Sequence, residues 1–399
     1  MSRRFNPDEC TACAVCTVHC PVAAATPCFR GPKMTGPAFE RLRLFGLHDD
    51  DSVEYCSNCK NCDISCPSGV PVSTFNMLAR AAYSRDKKIP PRDLLIGFSG
   101  DIGKLVRHIP AFLLNFGMKN PLTRLLLDII GLDKRAPLPA FAPLNQRQAL
   151  FRNTKHISGD KGRRGAVALF PGCFVSYYEP GVGLDIISLL EKVGYEVIVP
   201  GDFVCCGLPL LCAGLYDAAR ERAEKNRRTA LGLHEQGMTI VSPCPSCALM
   251  VGQEYEALFP EDAPVSVPVH EAASFVYSLV EEGVFDIAGA RPIAERLAYH
   301  APCHLRALGM GRPGLELLSR MPGVRVDDVN AGCCGLSGSY GMKKGKYEIG
   351  AQTGSGLFAA IRESGAQLCV SECGSCRTSI EHGTGLPVAH PLTLLARAL

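Results

Sequence analysis

The sequence has no long uncharged apolar run and no strong excess of charge. None of its apolar stretches reaches the roughly 18 uncharged residues of a membrane-spanning helix, so we do not expect the chain to cross a bilayer. A net charge of only +3 in 399 residues gives no electrostatic reason to expect nucleic acid as a partner. Arg3-Arg4 is followed by no apolar stretch, so we expect no export signal. Tryptophan is also absent, and its absence excludes nothing.

Cysteine, in contrast, is abundant. The chain has 21 cysteines, with 47% hydrophobic and 20% charged residues, which is a globular composition long enough for two or three domains. Disulfide frameworks belong mainly to small secreted domains. Because no export signal is expected, we predict a reducing cytoplasmic setting, in which free cysteines are available for metal binding.

Eight of the cysteines form two copies of one spacing. Each copy follows C-x2-C-x2-C-x3-C and is closed by a proline, Pro21 or Pro67. This is the run of bacterial ferredoxins, in which the fourth cysteine of each run binds the cluster of the other run. Zinc is the alternative, although it normally takes paired C-x2-C knuckles. The spacing therefore predicts two cubane [4Fe–4S] clusters, the first on Cys10, Cys13, Cys16 and Cys66 and the second on Cys56, Cys59, Cys62 and Cys20.

The residues around these runs predict a mostly helical domain over 1–90. Helices are expected at 39–44 and 72–85, and Pro90-Pro91 then interrupt the chain. Compact bacterial ferredoxins have a shorter spacer between their runs, so the longer spacer here indicates additional helix.

Residues 91–165 are predicted as an amphipathic segment followed by a linker that starts at 133. Asn120-Pro121 is typical of a helix start, and five apolar residues then recur on one helical face. Such a face can lie on a membrane surface, or pack on a partner protein or on the chain itself. The apolar residues of the face are Leu122, Leu125, Leu126, Ile129 and Ile130, and the nearby cations are Lys104, Arg107, Lys119, Arg124, Lys134 and Arg135.

A second internal repeat covers the rest of the chain. Ten further cysteines form two sets of five, and corresponding members lie about 129 residues apart, which indicates a duplicated domain. The first set, in the domain predicted at 166–290, is Cys173, Cys205, Cys206, Cys244 and Cys247. The second set, in the domain predicted at 291–399, is Cys303, Cys333, Cys334, Cys373 and Cys376.

Strands and helices alternate in both copies, which predicts parallel βαβ units with the cysteines after the carboxyl ends of strands. Five thiols exceed the four that zinc or a cubane needs, so we expect an iron–sulfur cluster in each copy, with a zinc site as the alternative. Gly207 and Gly335 allow a tight turn after each cysteine pair. The predicted strands are 166–170, 196–199, 239–242, 296–300, 324–326 and 367–371, and the helices 184–193, 216–236 and 347–364.

Some residues remain outside these patterns. Cys28, Cys212 and Cys369 are expected to be small buried hydrophobes. His304 follows Cys303 and could carry a proton or make a structural hydrogen bond. Lys343 and Lys344 could offset the charge of a reduced cluster or form a solvated turn. Gly335, Gly338 and Gly341 do not form G-x-G-x-x-G, so we expect no flavin site in this chain.

This layout resembles the iron–sulfur subunits of anaerobic flavin dehydrogenases, which include glycolate- and lactate-oxidising complexes and heterodisulfide reductases. The connecting segments are most similar to the C subunits of anaerobic glycerol-3-phosphate dehydrogenases. The segments that carry this likeness are Gly31-Pro-Lys33, Gly36-Pro37, Glu40-Arg-Leu-Arg-Leu44, Gly172-Cys-Phe-Val175, Cys205-Cys-Gly207-Leu-Pro-Leu210, Cys303-His304, Cys333-Cys-Gly335, Tyr340-Gly341-Met-Lys-Lys344 and His390-Pro-Leu-Thr-Leu-Leu-Ala396.

The resemblance implies an α+β multidomain fold, with a helical two-[4Fe–4S] ferredoxin domain followed by two duplicated α/β CCG cysteine-rich domains. It implies a non-cubane [4Fe–4S] cluster, held by the five cysteines of a CCG domain, in one or both copies. No catalytic residue is assigned.

The implied function is electron transfer from an FAD-containing, glycerol-3-phosphate-oxidising subunit, accompanied by a second flavin-type subunit, to menaquinone. The implied location is the inner face of the cytoplasmic membrane, as a peripheral protein. Because both copies carry all five cysteines, a heterodisulfide reductase-type catalytic subunit and a glycolate- or lactate-oxidising complex remain alternatives. A zinc-binding scaffold is the third.

Overall fold

The computed structural model describes residues 5–46, 50–152, 164–260 and 267–399, so Arg3-Arg4 lies outside the described residues. The N-terminal part contains helices and no strand within its described residues. The helices predicted at 39–44 and 72–85 are found as α3 and α5. The helices are α1 Val15–Val18, α2 Pro21–Ala25, α3 Phe39–Arg43, α4 Asn61–Ile64 and α5 Val72–Ser84, with short 3-10 or π turns at Pro7–Glu9, Met34–Ala38 and Asp51–Tyr55.

Five helices follow: α6 Pro91–Gly97, α7 Ser99–Leu105, α8 Ala111–Lys119, α9 Pro121–Ile129 and α10 Leu144–Leu150. Helix α9 starts where the sequence predicts, because the Asn120 side chain accepts a hydrogen bond from the Leu122 N–H at 2.9 Å. The stretch predicted as a linker instead contains α10, whose Leu150 is fully buried. Residues 153–163 of that stretch lie outside the described residues. None of the helices in the described ranges has the length and apolarity that a bilayer crossing requires.

The first α/β unit has a four-stranded parallel sheet of order β2-β1-β3-β4. Its strands are β1 Ala166–Leu169, β2 Glu196–Ile198, β3 Thr239–Ser242 and β4 Val269–Glu271. Its helices are α11 Gly172–Tyr177, α12 Pro180–Lys192, α13 Leu208–Cys212, α14 Tyr216–Glu235, α15 Pro245–Leu249, α16 Tyr255–Leu258 and α17 Ala272–Glu281, with a π turn at Met250–Glu254.

The second α/β unit repeats this topology, with a parallel sheet of order β6-β5-β7-β8. Its strands are β5 Arg296–Tyr299, β6 Arg325–Asp328, β7 Leu368–Val370 and β8 Val388–Ala389. Its helices are α18 Cys303–Ala307, α19 Pro313–Ser319, α20 Tyr347–Glu363, α21 Gly374–Thr384 and α22 Pro391–Ala398, with a 3-10 turn at Tyr340–Met342. The identical strand order agrees with the duplication expected from the cysteines.

The two α/β units share one hydrophobic core. Helix α12 packs on α22, and α17 packs on α19. These pairs are equivalent, because α12 and α19 follow the first strand of their units and α17 and α22 end them. Leu189 and Leu190 of α12 and Leu392 and Leu395 of α22 are fully buried within this core. Because burying each such side chain contributes about 2 kcal/mol, the units stabilise one another rather than standing alone.

Candidate metal centres

Both ferredoxin-type runs have the same unusual backbone. The residues on either side of each second cysteine, Ala12 and Ala14 in one run and Asn58 and Lys60 in the other, have φ between 53° and 65°. Non-glycine residues rarely adopt this left-handed conformation. Where it alternates with ordinary backbone it forms a nest of amide groups that holds anions, iron–sulfur sites among them. Strain repeated at equivalent positions indicates a shared function.

One group of four thiols combines both runs. Burial raises the pKa of the Cys16 thiol, and the neighbouring thiols of Cys10, Cys13 and Cys66 raise it further. The Val70 N–H donates to Cys66 Sγ at 3.3 Å, a hydrogen bond of the kind that tunes cluster-bound sulfur. The structure thus brings together the first set that the spacing predicts, and its role as a ligand set stays a prediction.

The other four thiols form the second group. Burial and the nearby Cys59 raise the pKa of Cys20 to about 11, and Cys56 and Cys59 lie near Cys62. The Ala23 N–H donates to Cys20 Sγ at 3.4 Å. All four thiols of this group are buried, whereas Cys13 of the first group is exposed.

The five cysteines of the first α/β unit form one connected set of thiols. Cys173 Sγ and Cys205 Sγ are 3.9 Å apart, Cys205 also contacts Cys206, and Cys206 contacts Cys247. Contact with Cys247 lowers the pKa of Cys244 to about 7. All five side chains follow strands β1, β2 and β3 at the carboxyl edge of the sheet, where such folds bind ligands.

The second unit gathers four of its five thiols in the same way. Cys334 Sγ and Cys376 Sγ are 3.3 Å apart, and contacts with Cys333 and Cys376 lower the pKa of Cys334 well below its usual range. Cys303 lies near Cys334 and Cys373 but also near Cys59 of the helical part. The second unit therefore adjoins the buried thiol group of the ferredoxin-type runs.

A glycine follows the cysteine pair in each unit, as expected. Gly207 and Gly335 have φ of 83° and 79°, which an L side chain rarely adopts. A Cβ at Gly335 would also collide with the carbonyl oxygen of Gly350, whereas a Cβ at Gly207 would lie 3.2 Å from that of Ala219. The tight turn is required in both units and is more crowded in the second.

All 21 cysteines lie in the described residues, and none of them forms a disulfide. Within the described ranges, no three histidine, cysteine, aspartate or glutamate side chains are placed to hold a single metal ion. The donor chemistry fits iron–sulfur clusters, in which each iron of a polynuclear centre takes its own thiolate.

His304 joins three cysteine motifs. Its Nε2 lies 2.8 Å from the carbonyl oxygen of Asn58, and its Nδ1 lies 2.7 Å from Ser246 Oγ. Asn58 lies between Cys56 and Cys59, Ser246 lies in the first α/β unit, and His304 follows Cys303. Burial lowers the pKa of His304. A carbonyl oxygen can only accept, so Nε2 donates to Asn58, and in the neutral imidazole Nδ1 then accepts from the serine. These bonds favour the structural role over proton transfer.

The two α/β units also meet beside their thiols. Arg377 is buried, pairs with Glu179 of the first unit, and lies near both Cys373 and Cys244. Phe174 follows Cys173, a predicted ligand of the first unit. Its ring covers Gly374, which follows Cys373, a predicted ligand of the second unit. Arg377 is absent from the residues predicted for the site, because no spacing in the sequence marks it.

Helix α7 covers the thiols of the first unit. A Cβ added at Gly100 would lie 2.9 Å from the Cβ of Cys205 and 3.3 Å from that of Cys173. A glycine is needed here because the helix backbone approaches these cysteines so closely. Helices α8 and α9 follow directly in the chain and have no buried residue.

Three expectations about single residues need correction or refinement. Cys28 is exposed, not buried, and lies in a turn in which its own N–H donates to Thr26 Oγ1 at 3.3 Å. Cys369 is buried and Cys212 is half-buried. Lys343 is not solvated, since it is buried and pairs with Asp93 at 2.6 Å. Lys344 is exposed and pairs with Asp128 at 2.6 Å.

Two family models match the chain. A 4Fe-4S dicluster domain model matches residues 6–70, and a cysteine-rich domain model matches 167–252 and 297–381. The C subunit of the anaerobic glycerol-3-phosphate dehydrogenase of Escherichia coli K12 is 33% identical over 98% of both chains. The chain belongs to the family of anaerobic glycerol-3-phosphate dehydrogenase C subunits.

More distant relatives share only part of this chain. The B subunit of the fumarate reductase (CoM/CoB) of Methanothermobacter marburgensis is 29% identical over 54% of this chain and 41% of its own length. Lactate utilization protein A of Bacillus subtilis is 27% identical over 52% of this chain and 87% of its own. This member of the C-subunit family is thus an iron–sulfur electron-transfer component of an oxidoreductase complex, which confirms the resemblance and the fold class.

Proposed function

We propose that the chain passes electrons from an FAD-containing, glycerol-3-phosphate-oxidising partner to menaquinone at the inner face of the cytoplasmic membrane. The full-length similarity to the C subunit of a glycerol-3-phosphate dehydrogenase supports the partner. Two cubane clusters at the ferredoxin-type runs, and one or two non-cubane clusters at the α/β units, would supply one-electron transfer. The proposed ligands are the eight and ten cysteines named above.

The proposed domains are 1–90, 91–165, 166–290 and 291–399. The matched segments 6–70, 167–252 and 297–381 each lie inside one of them, which supports the boundaries. The boundary at 290 divides the secondary structure of the two units. It does not divide the hydrophobic core, which continues across it.

The observation that carries the proposal is that the thiol groups adjoin one another in a series. The first group contains the exposed Cys13, and the second contains Cys59, which neighbours Cys303 of the second α/β unit. His304 and Ser246 then connect the second unit with the first. This order supports electron uptake at the first run and release at the first α/β unit.

The surface beside the first run supports contact with a partner protein. Val18 is 80% exposed and Ile64 is 50% exposed, and they occupy the same position in the two cysteine runs. Apolar residues at the centre of a transient interface are typical of such contacts. We propose that the flavin-bearing partner binds here, close to the exposed thiol of Cys13.

The exposed surface of α8 and α9 supports contact with a membrane. Helices α8 and α9 follow α7, pack on each other, and expose a set of large apolar side chains. A face of this kind, bordered by cations, suits the interfacial region of a bilayer, where menaquinone is available. The exposed residues are Phe112, Leu113, Phe116, Leu122, Leu125, Leu126 and Ile129.

A second candidate function is cleavage of a disulfide at the thiols of the α/β units. The partial similarity to a component of a fumarate reductase (CoM/CoB) favours it, as do two complete sets of five cysteines. A lactate- or glycolate-oxidising partner is a variant of the first function, supported by the similarity to lactate utilization protein A.

The experiment is an assay of the anaerobically purified complex with its co-purifying flavoprotein. We expect glycerol 3-phosphate to reduce both an artificial dye and a menaquinone analogue in liposomes. The variant Cys205→Ser should lose quinone reduction and retain dye reduction by the flavoprotein, with Cys28→Ser as the matched control. Turnover of a heterodisulfide without quinone reduction would support the second candidate instead, and oxidation of lactate but not glycerol 3-phosphate would change the partner.

A further inference from the structure

A cationic pocket lies where the ferredoxin-type part, helix α6 and the second α/β unit meet. It is small, with a cavity volume of about 30 Å³, and it opens to solvent. Six cationic side chains line it, against the two acidic side chains of Glu54 and Asp93. The cations are Arg80, Lys87, Lys88, Arg92, Lys343 and Lys346.

The inner cations have too few carboxylates around them. Arg80, Lys343 and Lys346 are 5%, 3% and 6% exposed. Asp93 serves two cations, Lys343 at 2.6 Å and Arg92 at 3.4 Å. Arg80 donates to the backbone carbonyls of Cys56 and Glu54 instead of to a carboxylate.

Lys346 shows the consequence most directly. Its ammonium group donates to the Glu54 carbonyl and lies 5.1 and 5.2 Å from the rings of Tyr55 and Tyr340. Burial lowers its pKa well below the usual range, and the charges of Arg80 and Lys343 lower it further. Burying positive charge without a counter-charge is unfavourable, so an anion in the pocket would relieve the excess.

The mouth of the pocket is also basic. Lys87 and Lys88 are exposed there, and the ammonium group of Lys87 lies 3.1 Å from the centre of the Tyr83 ring. Four of the six cations that line the pocket are lysines, and lysine binds a phosphate group as a point charge. The two arginines of the lining can also bind phosphate, because the guanidinium fork pairs with two phosphate oxygens at once.

The pocket lies at the base of the α8–α9 pair. Arg92 packs on Gly131, where an added Cβ would lie 2.8 Å from its Cδ. Leu132, just after α9, pairs with Lys343, and the Lys344 N–H donates to the Gly131 carbonyl at 2.9 Å. If α8 and α9 rest on a bilayer, the pocket lies beside the side chains that reach the headgroup region.

We propose that this pocket binds a phosphate group, either as free phosphate or as the headgroup of an anionic phospholipid under the α8–α9 pair. No predicted cluster ligand lines the pocket, although Arg80 also donates to the backbone carbonyl of Cys56. The site does not depend on which substrate the complex oxidises or which acceptor it reduces.

The first test measures binding of inorganic phosphate to the anaerobic holoprotein by titration calorimetry, with chloride used to hold ionic strength constant. The double variant Lys87→Gln/Lys88→Gln removes two exposed cations at the mouth and leaves the buried cations in place. The matched control is Lys192→Gln/Lys225→Gln, which removes two exposed lysines that do not line the pocket. We expect about tenfold or greater weakening in the pocket variant, and less than about twofold in the control.

The second test distinguishes the two sources of phosphate. Co-sedimentation is measured with phosphatidylcholine vesicles and with vesicles that also contain phosphatidylglycerol. A headgroup site predicts that phosphatidylglycerol strengthens binding and that the pocket variant loses this gain while the control keeps it. A site for free phosphate predicts the calorimetric difference without a vesicle difference. If the pocket variant equals the control in both tests, the buried cations serve only to offset internal charge and the proposal is overturned.

Discussion

At the scale of single residues, the arrangement of the thiol groups depends on His304, because its two hydrogen bonds join three cysteine motifs. His304 is 246 residues from Asn58 and 58 residues from Ser246 in the sequence, so no local pattern could reveal these partners. The sequence does mark the residue, because it directly follows Cys303. Its contacts make it a positioning residue for three cysteine motifs.

We expect His304→Ala to lower stability by about 2 kcal/mol, because the carbonyl of buried Asn58 and the hydroxyl of half-buried Ser246 lose their partner. Ser246→Ala, which removes one of the two bonds, should cost less. Anaerobic thermal unfolding of the iron-loaded protein measures both. Quinone reduction by His304→Ala should slow without a change in the position of its pH profile, and a shifted profile would instead assign His304 to proton transfer.

The glycines after the cysteine pairs offer a matched comparison. Gly207→Ala adds only the cost of a left-handed alanine, about 1–2 kcal/mol. Gly335→Ala adds a steric clash with the Gly350 carbonyl, about 1–3 kcal/mol more. We therefore expect a larger drop in melting temperature and in iron content for Gly335→Ala, and equal losses would refute the crowding seen around the second turn.

At the scale of elements, α8 and α9 differ from every helix of the α/β units, because none of their residues is buried. The 3.6-residue period predicts the apolar face of α9, and Asn120 predicts its start. The helical period cannot show whether the apolar face of α9 packs on the chain or remains uncovered, because that depends on the positions of distant helices.

The variant Phe112→Ser/Phe116→Ser should reduce binding to vesicles about tenfold or more, because two large apolar side chains leave the interface. Reduction of a menaquinone analogue should fall with it, while dye reduction by the flavoprotein is retained. Val18→Ser/Ile64→Ser is the control: it should weaken the complex with the flavoprotein and leave vesicle binding unchanged. Loss of vesicle binding in both variants would remove the distinction between the two surfaces.

Much of the element pattern could be predicted, and the failures have physical reasons. The strand at 239–242 and the long helices α14 and α20 were found within one residue, because apolar runs and helical periods are local signals. Strands β4 and β8 have three and two residues, too few to show a period. Helix α10 was missed because it lies between prolines and basic residues, and only its contact with the α/β core explains Leu150.

At the scale of the whole molecule, duplication produced one body rather than two separate modules. Helices from each unit complete the core of the other, and Glu271, the N-cap of α17, is fully buried. The cysteine spacing predicts the duplication. The packing of α12 on α22 and of α17 on α19 cannot be predicted, because these helices carry ordinary amphipathic patterns.

Glu271 makes the stability of this body depend on pH. Burial raises its pKa to about 7, above the value near 4.3 of an unfolded chain. Between these values the unfolded chain ionises while the folded one stays protonated, so stability falls as the pH rises through this window, by about 4 kcal/mol at most. Glu271→Gln removes this loss and should raise the melting temperature more at pH 8 than at pH 5.

The control for this prediction is Glu282→Gln, at an exposed position just beyond α17. It should leave the melting temperature nearly unchanged at both values of pH. An equal gain for Glu271→Gln at pH 5 and pH 8 would show that ionisation of Glu271 is not responsible.

The central claim is that both the ferredoxin-type runs and the duplicated α/β units hold iron–sulfur clusters. The most direct measurement is iron, acid-labile sulfide and zinc per chain in anaerobically purified protein. Two cubanes account for about eight irons, and each occupied α/β unit adds about four, so the expected result is more than about eight irons with matching sulfide. Fewer than about eight irons, together with stoichiometric zinc, would contradict the account.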